Sequence, residues 1–304
     1  MCNYCSQLPI YSWGGLSLTT MPEGHVIHRF ADQLNQHFAS TQATPDTQPR
    51  RPLLVTSPQG RFVTEAAQLN GHALDHAEAW GKHLFLCFDS DNPAHIVHIH
   101  LGLIGSMRLE DPANVWGQIR FRIEDPELPT TSAVAANLRG PQWCRLITEA
   151  EMTTATAKLG ADPLRDDANF LAIKTKVARS RRSIGSLLMD QKLFAGVGNI
   201  YRAETLFRLG ISPFILGKDV AELDLIWQDL RFLMREGVNR GRIDTVRPEH
   251  TPEAMGRPPR KDDHGGEVYV YRRYGQPCYV CGTPILECTM EGRNLFWCPT
   301  CQPD

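Results

Sequence analysis

Four cysteines near the end of the chain limit its folding most. Cys278-x2-Cys281 and Cys298-x2-Cys301 form two pairs with sixteen residues between them. Each pair sets two thiolates on a short turn, and a hairpin from about Thr283 to Trp297 brings the turns together. That spacing suits one tetrahedral zinc. Gly282 and Pro299 favour such turns. Two disulfides compete with this reading, and intracellular redox conditions disfavour them. Four thiolates leave no open position, so this metal holds a fold and does no chemistry. Cys2, Cys5, Cys87, Cys144 and Cys288 read as unliganded.

The 304 residues allow two or three domains with real cores. A charged fraction of 22% and a net charge of −2 exclude a disordered acidic or basic tail protein. The best apolar run, Leu84 to Phe88, is far below the ~18–20 residues of a membrane span. Met1 to Thr20 has no Lys or Arg and does not read as a signal peptide. The chain therefore reads as soluble and intracellular. Its charge is uneven: residues 1–170 carry 12 basic and 18 acidic side chains, residues 171–304 carry 20 and 16. The basic half is a weak hint of a polyanion partner, against mixed surface charge as the plainer account.

Val26, Ile27, Phe30, Leu34 and Phe38 recur at helical spacing, and three prolines in 40–52 read as loop. From there to about Ile147 short strands are expected, with Ile119, Phe121 and Ile123 in strict alternation. Thr148-Glu149-Ala150-Glu151 has the form of a capping box, and helical patterns run from it to about Arg242. Residues 243–266, with four prolines, read as a linker or loop. The expected class is α+β and multidomain: a helix and antiparallel β-sandwich over 21–147, a helical domain over 148–242, a loop over 243–266 and a zinc hairpin over 267–304. Residues 1–20 stand apart.

Ala195-Gly196-Val197-Gly198-Asn199 is a glycine-rich turn ahead of a helix starting near Ile200. Gly196 and Gly198 would expose backbone N–H groups at a helix N-terminus, a seat for phosphate, and Asn199 could add a donor. Lys174, Lys176, Arg179, Arg181 and Arg182 lie just ahead of it, as a solvated face or as phosphate contacts. His95, His98 and His100 lack a third well-placed ligand and read as a polar sheet surface.

Gln191 to Pro213 as a whole resembles the helix–two-turn–helix signature of the formamidopyrimidine-DNA glycosylase/endonuclease VIII (Fpg/Nei) family. Met21-Pro22-Glu23-Gly24 is similar to that family's start, where loss of Met exposes an N-terminal proline. Gly81-Lys82 stands where the family has its active-site lysine, and the cysteine hairpin with Arg293 resembles its zinc finger.

The resemblance implies a bifunctional DNA glycosylase and abasic-site lyase with one structural zinc, working on damaged double-stranded, bubble or single-stranded DNA. It implies a cytoplasmic bacterial monomer with no membrane partner. Pro22 would attack the sugar C1′, Glu23 would transfer protons, and Lys82, Asn199 and Arg293 would clamp flanking phosphates. Leu103 sits where the family places a wedge that fills the gap left by a flipped base, with core leucine as the competing reading. The chain departs from the pattern at Met1 to Thr20, which would leave Pro22 an amide with no nucleophilic nitrogen; translation from Met21 resolves this. The purine-directed members' Arg-Phe-Gly is missing from Asn137 to Trp143, and Val26 replaces a second acidic residue. These point to the actinobacterial endonuclease VIII branch and oxidised pyrimidines. The alternatives are a purine-directed enzyme, a non-catalytic binder of damaged DNA on the same scaffold, and a zinc hydrolase using the histidines.

Overall fold

The computed structural model describes residues 22–39, 51–129, 133–261 and 266–303. Met1 to Thr20, Met21 and most of the proline-rich loop 40–52 lie outside the described residues.

Helix α1 (Gly24–Phe38) buries Ile27, Ala31, Leu34 and Phe38, one stripe at helical spacing. It packs on one of two four-stranded sheets and on a long helix of the second half. The strands are β1 (Leu54–Thr56), β2 (Leu74–Trp80), β3 (His83–Phe88), β4 (Ala94–His100), β5 (Ser106–Glu110), β6 (Ile119–Glu124), β7 (Ala135–Arg139) and β8 (Trp143–Thr148), with helix α2 (Val63–Leu69) after β1. One sheet has the order β1-β6-β7-β5 and the other β2-β3-β4-β8, every pairing antiparallel. Leu84, Leu86 and Val97 of one sheet meet Phe121, Ile123 and Leu138 of the other in a shared core, the two-layer solution for half-apolar sheets.

Thr148 caps α3 (Glu149–Thr156) through a reciprocal capping box with Glu151. There follow α4 (Phe170–Val177), α5 (Ile184–Leu187), α6 (Asn199–Arg208) and α7 (Leu223–Arg240), the last stopped by Gly241 in the left-handed region. The segment expected as loop after Arg242 is more ordered than its prolines suggest. It carries a 3₁₀ turn at Pro248–His250 and the short helix α8 (Pro252–Met255), because Pro suits the first helical turn, and it buries Ile243 and Thr245. Strands β9 (Leu286–Met290) and β10 (Arg293–Trp297) form the hairpin, turning through Glu291 and Gly292 at positive φ. Ile285, Phe296, Cys278 and Cys298 join the core of α5, α6 and α7, so the cysteine hairpin shares the helical domain's core. Among the described residues no helix is long and apolar enough to cross a membrane.

Candidate active site

Glu23 leads into α1, is 3% exposed, and reaches across the domain boundary. Its Oε1 accepts the Ile200 N–H at 2.8 Å and its Oε2 the Tyr201 N–H at 3.4 Å. The first turn of α6 is thus already capped by the protein's own Glu23 carboxyl group. This corrects the expectation of a phosphate seat there. Gly198 serves that contact, since a Cβ on it would sit 2.3 Å from the Glu23 carboxyl carbon. Gly196 lies behind, and its carbonyl accepts the Gly24 N–H at 2.8 Å.

Three glycines meet at this point. A Cβ on Gly24 would fall 2.8 Å from the Gly196 Cα, and one on Gly81 would fall 2.9 Å from the Gly196 nitrogen. The start of α1, the β2–β3 turn and the turn before α6 therefore touch backbone to backbone. Gly81, at φ +60, delivers Lys82 to the cavity. Asp162 fixes that delivery: its Oδ2 accepts the Gly81 N–H at 2.7 Å and pairs with His28 Nε2 of α1 at 2.7 Å. Asp162 is buried, and its own segment bridges to Phe194 beside the glycine-rich turn. Sequence reading missed it, because its partners lie 81 and 134 positions away.

Pro22, Glu23, Lys82, Leu103, Asn199 and Arg293 line one cavity of about 140 Å³, together with His100, Gln142 and Met189. Burial raises the Glu23 pKa above the usual carboxylate range, against the opposing pull of the Lys82 charge. Burial also lowers the Lys82 pKa, aided by Arg293 and opposed by Glu23. Both shifts favour the neutral forms, which suits a pair that passes a proton.

Asn199 stands on the wall, but its amide donates to the Asn294 carbonyl at 2.9 Å and its oxygen accepts from Arg202. It braces the hairpin that carries Arg293 while standing on the cavity wall where the phosphate contact is expected. Leu103 is 58% exposed at the cavity rim, which removes the core reading, and the neighbouring Ile104 is 87% exposed. Gly102, at φ +71, packs against Gln142, while the Gly102 N–H donates to His100 Nδ1 at 3.1 Å. His100 and Gln142 were not singled out as cavity residues, since nothing in their spacing joins the two loops.

Cys278, Cys281, Cys298 and Cys301 place their sulfurs within 4.8 Å of one another, with Cys278–Cys301 at 3.9 Å and Cys281–Cys298 at 3.4 Å. Zinc–sulfur bonds of about 2.3 Å in a tetrahedron set sulfurs about 3.8 Å apart, so the set fits one structural zinc. Among the described residues no other group of three or more His, Cys, Asp or Glu side chains gathers in this way. The histidines read as a polar surface are more enclosed than that. His98 is 7% exposed, stacks on Phe85 at 4.5 Å and lies 2.9 Å from His83 Nδ1, while His100 stacks on Trp143. Burial lowers His83 to about 3 and His98 to about 4, so both are neutral near pH 7. In the basic run, Lys174 pairs with Asp224, and Arg182 with Asp190 and Glu291. Lys176, Arg179 and Arg181 stay exposed.

Three family models match in succession. They are the formamidopyrimidine-DNA glycosylase N-terminal domain over residues 21–139, the H2TH domain of the same glycosylase over 159–247, and the zinc finger found in FPG and IleRS over 275–303. Endonuclease 8 1 of Mycobacterium tuberculosis is 44% identical over 293 residues, covering 93% of this chain and 100% of the relative. The formamidopyrimidine-DNA glycosylase of Rippkaea orientalis is 30% identical over 295 residues, with the same coverage. In structure, the complex between Lactococcus lactis Fpg and an abasic site containing DNA superposes with a TM-score of 0.69 at 19% identity, covering 93% of this chain and 100% of that one. MutM (Fpg) from Thermus thermophilus gives 0.64 at 23% identity, covering 93% and 99%. At these identities the structural likeness speaks for the fold.

Proposed function

Because the chain belongs to the formamidopyrimidine-DNA glycosylase/endonuclease VIII family, we propose that it is a base-excision DNA glycosylase and abasic-site lyase acting through the amine of Pro22. The observation that carries this reading is the convergence of Pro22, Glu23, Lys82 and Arg293 on one cavity, with Glu23 fixed on the helix behind it. A base inside a duplex is out of reach, so the nucleotide turns out of the stack into this cavity. Leu103, with Ile104 beside it, is placed at the rim to fill the vacated space.

The acting form begins at Pro22, since only a free secondary amine, with a pKa of roughly 8, has a lone pair to use. The family model's match from residue 21 supports this start. The amine attacks C1′, the N-glycosidic bond breaks, and the base leaves with a proton. Glu23 is the donor, and burial, which raises its pKa, favours the protonated form that can donate. The iminium so formed acidifies the C2′ proton, whose removal expels the 3′ phosphate, and water then releases the enzyme. Lys82, whose pKa burial lowers, serves this elimination, while Arg293 holds the adjoining phosphate. The substrates are oxidised pyrimidines in damaged duplex, bubble or single-stranded DNA, in the bacterial cytoplasm and as a monomer. The similarity to an endonuclease 8 and the missing Arg-Phe-Gly between β7 and β8 support the pyrimidine preference.

Borohydride trapping tests the reading. Protein started at Met21 is incubated with an oligonucleotide bearing an abasic site, beside its Pro22→Gly variant and the 304-residue chain. A covalent adduct that needs a free Pro22 is expected. No adduct from correctly processed, zinc-loaded protein would instead favour a non-catalytic binder of damaged DNA. Excision of thymine glycol faster than of 8-oxoguanine is the expected lesion preference.

A further inference from the structure

Two guanidiniums of unequal standing flank the first cysteine knuckle. Tyr279 lies between Cys278 and Cys281, with the Arg273 guanidinium 3.4 Å from its ring centre and that of Arg257 at 4.1 Å. Two groups this close to one ring centre have room only on its opposite faces. Arg257 has an anion of its own, since its Nη2 stands 2.6 Å from Glu267 Oε2. Arg273 is 2% exposed and held by neutral groups. Its Nη1 donates to the Tyr269 carbonyl, its Nη2 to the Pro277 carbonyl at 2.7 Å, and its Nε to Gln276 Oε1 at 3.2 Å. We propose that Arg273 is a positioning residue for the metal, supplying the counter-charge of the four-cysteine site and fixing its first knuckle.

A guanidinium buried with no anion nearby is costly, because neutral acceptors recover only part of its lost hydration. Glu204 reaches the same segment, yet its oxygens already accept the Tyr269, Val270 and Tyr271 N–H groups and the Thr245 hydroxyl. Four thiolates outweigh the two charges of a zinc ion, so the loaded site is itself an anion. Arg273 grips the residue before Cys278 by its carbonyl and the residue after it by its ring. The cation therefore stands beside that ligand, and each offsets the desolvation of the other.

The same contacts form a brace. Tyr269 is fastened to α6 through Glu204, and Pro277 leads directly into the knuckle. Arg273 spans the two, so the helical core sets the place of the knuckle. Strands β9 and β10 run from this knuckle to the second, with Arg293 at the start of β10, so the cavity wall depends on the same fastening.

The test is the zinc affinity of the full chain, measured by competition with a chromogenic chelator. Arg273→Gln keeps an amide donor for the Pro277 carbonyl, and Arg273→Met keeps the apolar stem; both lose the charge. Each is expected to weaken zinc binding by about 10–100-fold, the usual effect of removing a group that supports a metal ligand. Arg273→Lys keeps the charge and loses the fork, and is expected to recover most of that loss. Arg257→Met takes a cation from the same ring and is expected to stay within about threefold, the share of one ring contact.

Cobalt in place of zinc separates charge from shape. In the neutral variants the thiolate-to-cobalt charge-transfer band is expected at longer wavelength, because the thiolate electrons have lost a nearby cation. The ligand-field bands of tetrahedral cobalt should hold their place. Unchanged affinity in the neutral variants overturns the proposal. Weaker affinity with an unmoved charge-transfer band reduces Arg273 to a brace and overturns the counter-charge. An equal effect of Arg257→Met does the same, since it puts the ring in control. Should neither neutral variant take up metal, Arg273→Lys decides: uptake near that of the parent supports the charge, and failure overturns it.

Discussion

Two buried glutamates meet the same helix in opposite ways. Glu204, in the middle of α6, is fully enclosed and accepts the N–H groups of Tyr269, Val270 and Tyr271 at 2.7–2.8 Å and the Thr245 hydroxyl at 2.5 Å. Both of its oxygens are occupied by groups that never change partner. Glu23 comes from the other domain, caps the start of α6 with two longer-spread contacts, and lines a cavity with Lys82. Burial is similar, so burial does not distinguish structural from chemical carboxylates. What differs is remaining capacity: Glu204 is a saturated acceptor that pins the lead-in to the zinc hairpin, and Glu23 keeps room for a proton and an ionisable neighbour.

The sharpest way to break this contrast is Glu23→Gln. Base excision in single turnover should fall by about 10²–10⁴, the usual worth of a general acid, with melting temperature within about 2 °C of the parent. A loss of activity that tracks a loss of folding would make Glu23 another Glu204. The reciprocal change, Glu204→Gln, turns an amide N–H toward N–H donors and should cost about 3 kcal/mol, or roughly 6–12 °C in thermal melting. The fraction that stays folded should keep its excision rate within a few fold.

A smaller effect comes from pH. His25, 4% exposed, is lowered to about 3 by burial, with Arg29 and His28 adding to the shift. Between pH 6.5 and that value the unfolded chain binds a proton that the fold refuses, so stability falls as pH falls. From pH 6.5 to 5 this single site should remove about 2 kcal/mol, readable in urea titrations and suppressed in His25→Phe. Glu23 has the opposite sign. Its raised pKa makes the folded state the tighter proton holder, so its contribution weakens as pH rises, and Glu23→Gln should flatten that limb.

The smallest change is expected at Asp162→Asn. Asp162 Oδ2 takes both Gly81 and His28, and an amide oxygen left in its place still accepts from Gly81, so elimination on an abasic-site oligonucleotide should slow by no more than about tenfold. DNA binding should stay near the parent value. A deficit above about a hundredfold, or a matching loss of DNA binding, would mean that Asp162 does more than hold the Gly81 turn that delivers Lys82.

These residues also mark how far the amino-acid order could be read. The cysteine pairs were legible because metal geometry leaves its mark as short-range spacing. The stripe of α1 and the Thr148 capping box were legible for the same local reason. Glu23 on the Ile200 N–H was not, since it joins residues 177 positions apart, and no pattern in either segment declares a vacant helix end already filled from elsewhere. Asp162, Glu204 and the Gln142–Gly102 contact share that cause. The histidines of β4 were misjudged in degree because alternation gives the face of a strand but not what stacks on that face, here Phe85 and Trp143.

The meeting of Gly24, Gly81 and Gly196 bears on how such a chain can change over generations. When a bulky side chain crowds another, a smaller neighbour can compensate, and a lineage can exchange the two in either order. Here the nearest neighbours are already main chain, so no smaller side chain can make room at Gly24 or Gly81, and Gly196 is held to glycine by its φ of +85. Divergence in substrate is then left to the rim, at Leu103, Ile104 and Gln142, where side chains end in open space or meet one another.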